Sequence, residues 1–391
     1  MLLYADANGT KLPESEQLPA EDDTIYDMAS LTKLYTTIAA LRQIDAGKLD
    51  IYHTVASYLP AFAANGKENV TVLELLTHTS GFQPDPKPPL YYPVYPTYED
   101  RVQAILNTGL INPPGSTYLY SDLNFMSTQL MLEHITGRKL DELIKEYTEP
   151  LGMHDTFFNR GNIEGPAFPP YPRMAAQEFQ IEVQGDMEPK RPQPVRGTVH
   201  DENAWSLDGV AGHAGLFSTV EDTGVFCQMI LNGGTYGGVR VLSPQAVDLI
   251  FHNFNTEFPG HEHGLGFELN QYYTAGPMAS LQVCYIPSRS THTADVDSTR
   301  PPVILASRAQ RCLSTVQPTR SSFSSPTAFT PAVSGRRITL PERLWDTGLP
   351  NLLVAMFLSR LCEPGCAYVY TCIVEYKVVS IRNHNGYNSE P

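Results

Sequence analysis

Asp27-Met28-Ala29-Ser30-Leu31-Thr32-Lys33 is the stretch on which the reading of this chain turns. Ser30 and Lys33 stand three residues apart. On a helix such positions share one face, so the ammonium can lie beside the hydroxyl. A helix is predicted over Asp27 to Ala46: Asp27 can cap it, Leu31, Leu34, Ile38, Leu41 and Ile44 recur at helical spacing, and Gly47 can end it. A serine hydroxyl is a weak nucleophile until something takes its proton. A lysine in a partly desolvated site can be neutral enough to take it, or can stay charged and lower the pKa of a second base. Ser30 in the first helical turn also has the positive end of the helix dipole nearby, which favours a developing anion. Alone, Ser-x-x-Lys is a weak signal, since roughly one is expected by chance in a chain of this length. A serine near a helix cap followed by a solvated lysine would look the same.

About 90 residues on, Tyr120-Ser121-Asp122 follows the turn Pro113-Pro114-Gly115 and precedes a helix. A tyrosine at such a junction can point its phenol into a cleft. Beside a lysine ammonium its pKa is expected to fall, and it could act as general base. Ser121 or Asp122 can equally cap the helix, and both roles are compatible. Further helices are predicted over Val70 to Thr77, Tyr98 to Asn107, Leu123 to Ile135, Leu140 to Tyr147, Thr219 to Leu231 and Ser243 to His252, with a short one within Lys48 to Tyr58. Pro84 to Pro96, rich in Pro and Tyr, is a loop that either lines a cleft or packs on the surface. Gly161 to Arg196 is loop-rich, and Gly264 to Leu269 reads as a strand.

Composition bounds the rest. Of 391 residues, 42% are hydrophobic and 18% charged, which fits a globular body of two or three units. The net charge of -15 argues against nucleic acid or an anionic membrane as partner. No apolar run is long enough to span a bilayer, and Met1 to Gly9 has no signal-peptide pattern, so a cytoplasmic location is the default expectation. Composition changes near residue 283. Cys227 precedes that point, and Cys284, Cys312, Cys362, Cys366 and Cys372 follow it. From Val283 onward 10 Arg and 1 Lys face 7 acidic residues, a net of +4. The tail 283–391 therefore reads as disordered or separately evolved, or as a retained intron translated out of frame. Val283-Cys284 would be encoded GTN-TGY, compatible with an intron start of the GTATGT type.

Asp27 to Lys33 resembles the nucleophile region of the beta-lactamase-related serine hydrolases, which include class C beta-lactamases, D-alanyl-D-alanine carboxypeptidases of the penicillin-binding type and related esterases. Leu75-Leu-Thr-His-Thr-Ser-Gly81, Tyr120-Ser-Asp-Leu-Asn124, Glu149-Pro-Leu-Gly-Met153 and Gly212-His-Ala-Gly-Leu-Phe-Ser218 are similar to further hallmarks of that family, in family order, over roughly Asp22 to Gly266. The resemblance implies an α+β, beta-lactamase/transpeptidase-like fold. An antiparallel sheet flanked by helices comes from both ends of the domain, here 1–282, and a helical subdomain comes from roughly 56–200, with the active site between them. Only 29 residues precede Ser30, where the family has a helix and two or three strands, so an incomplete sheet is expected.

By the same resemblance, Ser30 would be acylated by the substrate carbonyl, and Lys33 and Tyr120 would share the proton transfer. Asp122 stands where class C enzymes usually have Asn, and would help to position Lys33 or the substrate. Ser121-Asp122 could instead mimic the Ser-Asp-Asn motif of class A enzymes. Leu123 breaks that match, so Tyr120 is the preferred base. The third family motif, Lys/His-Thr-Gly on an edge strand that supplies an oxyanion-hole N–H, should lie beyond Gly266. His213-Ala214-Gly215 resembles it only superficially, and His292-Thr293-Ala294 is the one similar triplet further on.

The resulting expectation is a serine hydrolase that cleaves an ester or amide (a beta-lactam, a D-Ala peptide or a small ester) in a small-molecule or peptide substrate. No metal or organic cofactor is implied. The competing expectations are an inactive, truncated member and a non-catalytic binding protein. His261-Glu262-His263 lacks a third ligand and reads as a solvated loop. His200-Asp201-Glu202-Asn203 reads as a loop of hydrogen-bonding residues that could border the cleft.

Overall fold

The computed structural model describes residues 20–177 and 191–269. The tail 283–391 and the triplet His292-Thr293-Ala294 lie outside the described residues. Helices dominate the described residues. The longest two are α1, Thr32–Asp45, and α5, Asp122–Thr136. Between them come α2, Val55–Tyr58, α3, Val72–Leu76, and α4, Tyr98–Asn107. After α5 come α6, Leu140–Thr148, α7, Glu202–Ser206, α8, Val220–Leu231, and α9, Pro244–Phe251. No helix among the described residues is long and apolar enough to cross a membrane.

Side-chain chemistry sets most of these boundaries. Thr71 and Glu74 form a reciprocal capping box at α3, and Thr97 and Asp100 form another at α4. The side chains of Asp201, Thr219 and Ser243 each accept a backbone N–H at the start of α7, α8 and α9. Each such cap contributes about 1 kcal/mol. Gly137, left-handed at φ 68°, ends α5.

The helix predicted from Asp27 begins later and in two steps. A 3-10 turn spans Ala29–Leu31, and α1 follows from Thr32. The Asp27 carboxylate still accepts the Ala29 N–H at 2.7 Å, so it fixes the turn rather than the helix. Tyr35, Ile38, Ala39 and Leu41 of α1 are buried against α5, α6 and α9. Burying each large side chain of this set stabilises the fold by roughly 1.5–3 kcal/mol.

Among the described residues the sheet beside α1 has three short strands. β1, Tyr26–Asp27, and β2, Phe157–Phe158, flank β3, Leu216–Ser218, in the order β1-β3-β2, all antiparallel. Tyr26 faces Ser218 and Phe157 faces Phe217. A separate hairpin joins β4, Thr235–Tyr236, to β5, Val239–Arg240. The expected strand at Gly264 to Leu269 is replaced by a tight turn with a single bridge, His263 to Glu268. The Gly264 N–H bonds the Phe267 carbonyl across the turn, and the Leu269 N–H bonds the Glu262 carbonyl, both at 2.8 Å.

Buried cations and close backbone contacts lock the helical layer. Lys67 is fully buried. Its ammonium donates to the carbonyls of Ala64, Leu106 and Thr108 at 2.6, 2.9 and 2.8 Å. It thereby ties the end of α4 to the turn before α3. At Gly212, which leads into β3, an added Cβ would collide with the Phe125 carbonyl of α5. A side chain there would force the β3 lead-in away from α5.

Candidate active site

The 3-10 turn and the first turn of α1 place Ser30 and Lys33 on one face, as the spacing requires. Ala29 immediately before Ser30 is left-handed, at φ 46°. Non-glycine residues in that region persist only where the surroundings fix them. Here Asp27 supplies both restraints, accepting the Ala29 N–H through one oxygen and the His200 N–H, at 2.7 Å, through the other. The Met28 N–H donates to the Leu216 carbonyl at 2.8 Å, which ties the turn to β3.

Lys33 is the centre of the cluster. Its Nζ lies 3.1 Å from Ser30 Oγ, 2.6 Å from Tyr120 Oη, 3.3 Å from the His213 carbonyl and 2.7 Å from Asp122 Oδ1. Lys33 is only 3% exposed. The four residues singled out in the sequence, Ser30, Lys33, Tyr120 and Asp122, are thus brought together. Tyr120 closes the segment that enters α5, and Asp122 opens the helix. That segment is pinned to the Pro84 to Pro96 loop, because the Ser121 hydroxyl donates to the Gln83 carbonyl and the Asp122 N–H to that of Pro84.

Charge balance in the cluster is set by Asp122. Burial opposes the Lys33 charge, but the Asp122 carboxylate, with Tyr120, outweighs it and raises the lysine pKa. Tyr120 departs from expectation. Its pKa lies above the ordinary phenol value, not below it. Burial is the largest cause and Asp122 adds to it, while Lys33 and a hydrogen bond with Ser30 pull the other way. The expected fall rested on the Lys33 ammonium alone, and burial together with the Asp122 carboxylate outweighs it. Both raised pKa values leave Lys33 an ammonium and Tyr120 a phenol at neutral pH.

A second charged pair lies alongside. His213 is buried, and its Nε2 is 2.9 Å from Asp201 Oδ1. Burial disfavours the imidazolium, but Asp201 and then Asp122 raise its pKa overall. Burial would raise the Asp201 pKa, yet His213 holds it below the usual carboxylate range. Asp122, Asp201 and His213 offer one potential metal-ligand atom each within 4.8 Å of one another. Asp122 is paired with Lys33, and Asp201 with His213.

The segment His200 to Asn203 makes the expected hydrogen bonds, although from Glu202 it is helix rather than loop. Asp201 caps α7 and pairs with His213, and Asn203 Oδ1 accepts the Leu90 N–H of the Pro84 to Pro96 loop at 2.8 Å. The solvated-loop reading of His261 to His263 holds in part. His261 is exposed and stacks on Tyr118, while His263 is buried and packs edge-on against His78. His213 stood inside a quoted motif without a role, and it contributes a backbone carbonyl to Lys33 and a charge partner to Asp201. His78 stood inside a quoted motif with no role attached, although its ring centroid lies 4.5 Å from that of Tyr120.

Helices wrapped on a small antiparallel sheet, with Ser, Lys and Tyr converging between them, define the class. The beta-lactamase family model matches residues 3–305, and the chain belongs to that family. Proteins of Salmonella paratyphi B and Salmonella newport, each provisionally named D-alanyl-D-alanine carboxypeptidase, are 35% identical to it over 244 residues. That match covers 58% of this chain and 56% of theirs, so the chain spans little more than half the length of these curated relatives. Among solved structures, a penicillin-binding protein homologue from Caulobacter crescentus superposes with a TM-score of 0.50 over 69% of this chain and 72% of its own. At 19% identity that likeness is one of fold.

Proposed function

We propose that the chain is a serine hydrolase that cleaves an ester or amide through an acyl intermediate on Ser30. One observation carries the reading: Lys33 Nζ sits at once 3.1 Å from Ser30 Oγ and 2.6 Å from Tyr120 Oη. Membership of the beta-lactamase family supports it. The hydrolase domain is taken as residues 1–282, with its helical part at roughly 56–200.

In this account Ser30 Oγ attacks the substrate carbonyl carbon while its proton passes to the Tyr120–Lys33 pair. The Ser30 N–H, at the head of α1, faces the developing oxyanion with the helix dipole behind it. The proton then moves to the leaving amine or alcohol, and water attacks the acyl-serine with the same pair as base. The resting phenol and ammonium cannot accept a proton. Turnover therefore draws on the deprotonated cluster and rises with pH.

The name carried by the Salmonella relatives makes peptides ending in D-alanyl-D-alanine the first substrates to try. Steady release of nitrophenol from p-nitrophenyl butyrate, or of D-alanine from such a peptide, that disappears in Ser30→Ala supports the proposal. A well-folded protein that turns over neither, and in which Ser30→Ala changes nothing, supports the inactive member or binding protein instead.

A further inference from the structure

His78 is 2% exposed and sits at the end of α3 in a left-handed conformation, φ 59°. A histidine held there against its preference is over-determined by its surroundings. Its backbone carbonyl accepts the Leu119 N–H at 2.9 Å. Its ring Nδ1 lies 3.1 Å from the Ser121 N–H and 3.0 Å from Asn124 Nδ2. One residue thus takes the peptide N–H on each side of Tyr120, and its ring lies against the Tyr120 ring.

The chemistry of these contacts fixes the state of the imidazole. A backbone N–H only donates, so Nδ1 must present a lone pair, and a neutral ring carries its proton on Nε2. The Asn124 amide has the same requirement. Its Oδ1 accepts the Ser80 hydroxyl at 2.5 Å, which leaves the NH₂ facing His78. Protonating Nδ1 would set N–H against N–H. Burial, then His263 and Lys33, push the same way, and the His78 pKa lies well below its ordinary value.

We propose that His78 is a positioning residue that sets the Tyr120 phenol beside Lys33, through the two flanking peptide groups and through its ring face. This rests on the reading of Ser30, Lys33 and Tyr120 given above. The phenol has no covalent restraint of its own beyond a segment outside regular structure. The 2.6 Å contact with Lys33 then depends on where His78 holds residues 119 and 121. Misplacing a reacting group by about 1 Å can cost on the order of 10²-fold in rate.

Two variants separate the clamp from simple packing. His78→Asn returns an acceptor near Nδ1 and tolerates the left-handed backbone, whereas His78→Phe keeps a ring and leaves two buried donors unmatched. With p-nitrophenyl butyrate, His78→Phe is expected to lose about 10²-fold in kcat with KM little changed, and His78→Asn to recover most of that loss. The ultraviolet tyrosinate band, read as the difference from the same protein carrying Tyr120→Phe, reports the phenol without turnover. Its titration should move in His78→Phe and stay near the unmodified protein's in His78→Asn. An unmoved Tyr120 titration in folded His78→Phe, or an equal kcat in the two variants of a protein that does turn the ester over, overturns the proposal. A shifted titration in a protein that hydrolyses nothing leaves the clamp standing and removes the hydrolase reading alone.

Discussion

Asp122 Oδ1 lies 2.7 Å from Lys33 Nζ, on a lysine that also reaches Ser30 and Tyr120. An asparagine at that position would accept the same hydrogen bond without the charge. The carboxylate raises the pKa of both Lys33 and Tyr120, so it holds the cluster in the protonated form that cannot act as base. In Asp122→Asn both pKa values should fall. On the proposed mechanism the deprotonated form carries the rate, so the rising limb of the kcat/KM profile should move to lower pH. A profile measured over the neutral to alkaline range checks this, and a limb that stays put or moves upward counts against the charge argument.

The His213–Asp201 pair predicts a pH window of stability. The folded His213 pKa is raised from 6.5, so its contribution is complete below about 6.5 and fades as pH rises through the folded value. The folded Asp201 pKa is lowered from 3.8, so its contribution is present above about 3.8 and is lost as pH falls. Together they stabilise most between about pH 4 and pH 6.5. Asp122, Lys33, His200 and Glu202 share this environment, together with Asp85 of the neighbouring loop. The difference in thermal midpoint between the protein and His213→Gln should be greatest in that window and shrink on the alkaline side.

Lys67→Met keeps the length and apolar stem of the side chain but leaves the carbonyls of Ala64, Leu106 and Thr108 without their shared donor. Each buried acceptor stranded in this way costs about 1–3 kcal/mol. Denaturant titration should show a loss of at least about 2 kcal/mol. Lys67 is linked to α4 and not to the cluster around Ser30, so ester turnover per folded molecule should change little.

Gly212→Ala tests the contact between β3 and α5. The added methyl collides with the Phe125 carbonyl, and the displaced segment carries the His213 carbonyl that accepts from Lys33. Loss of both stability and turnover is expected, in contrast to Lys67→Met. Thermal denaturation alongside kcat/KM checks the pairing of the two effects.

Much of the helical layer was legible because its signals are local. The predicted Tyr98 to Asn107 is α4 to the residue, and Thr219 and Ser243 cap α8 and α9 as their positions suggest. Strands of two or three residues carry no readable period. β1 and β2 exist only because β3 comes between them from 216–218. The convergence of Ser30, Lys33, Tyr120 and Asp122 was legible from two short motifs. The ionisation of Tyr120 was not, because it depends on burial and on the Asp122 carboxylate nearby. His78 and His213 act through backbone carbonyls, ring faces and charge at a distance, and none of these leaves a spacing in the sequence.

The central claim is that Ser30 becomes acylated. Intact-protein mass spectrometry after exposure to a fluorophosphonate probe, with peptide mapping, tests it most directly. The account predicts one adduct per chain, on Ser30, formed faster at alkaline than at neutral pH and absent from Ser30→Ala. A folded protein that forms no adduct, or forms it on another residue, contradicts the account.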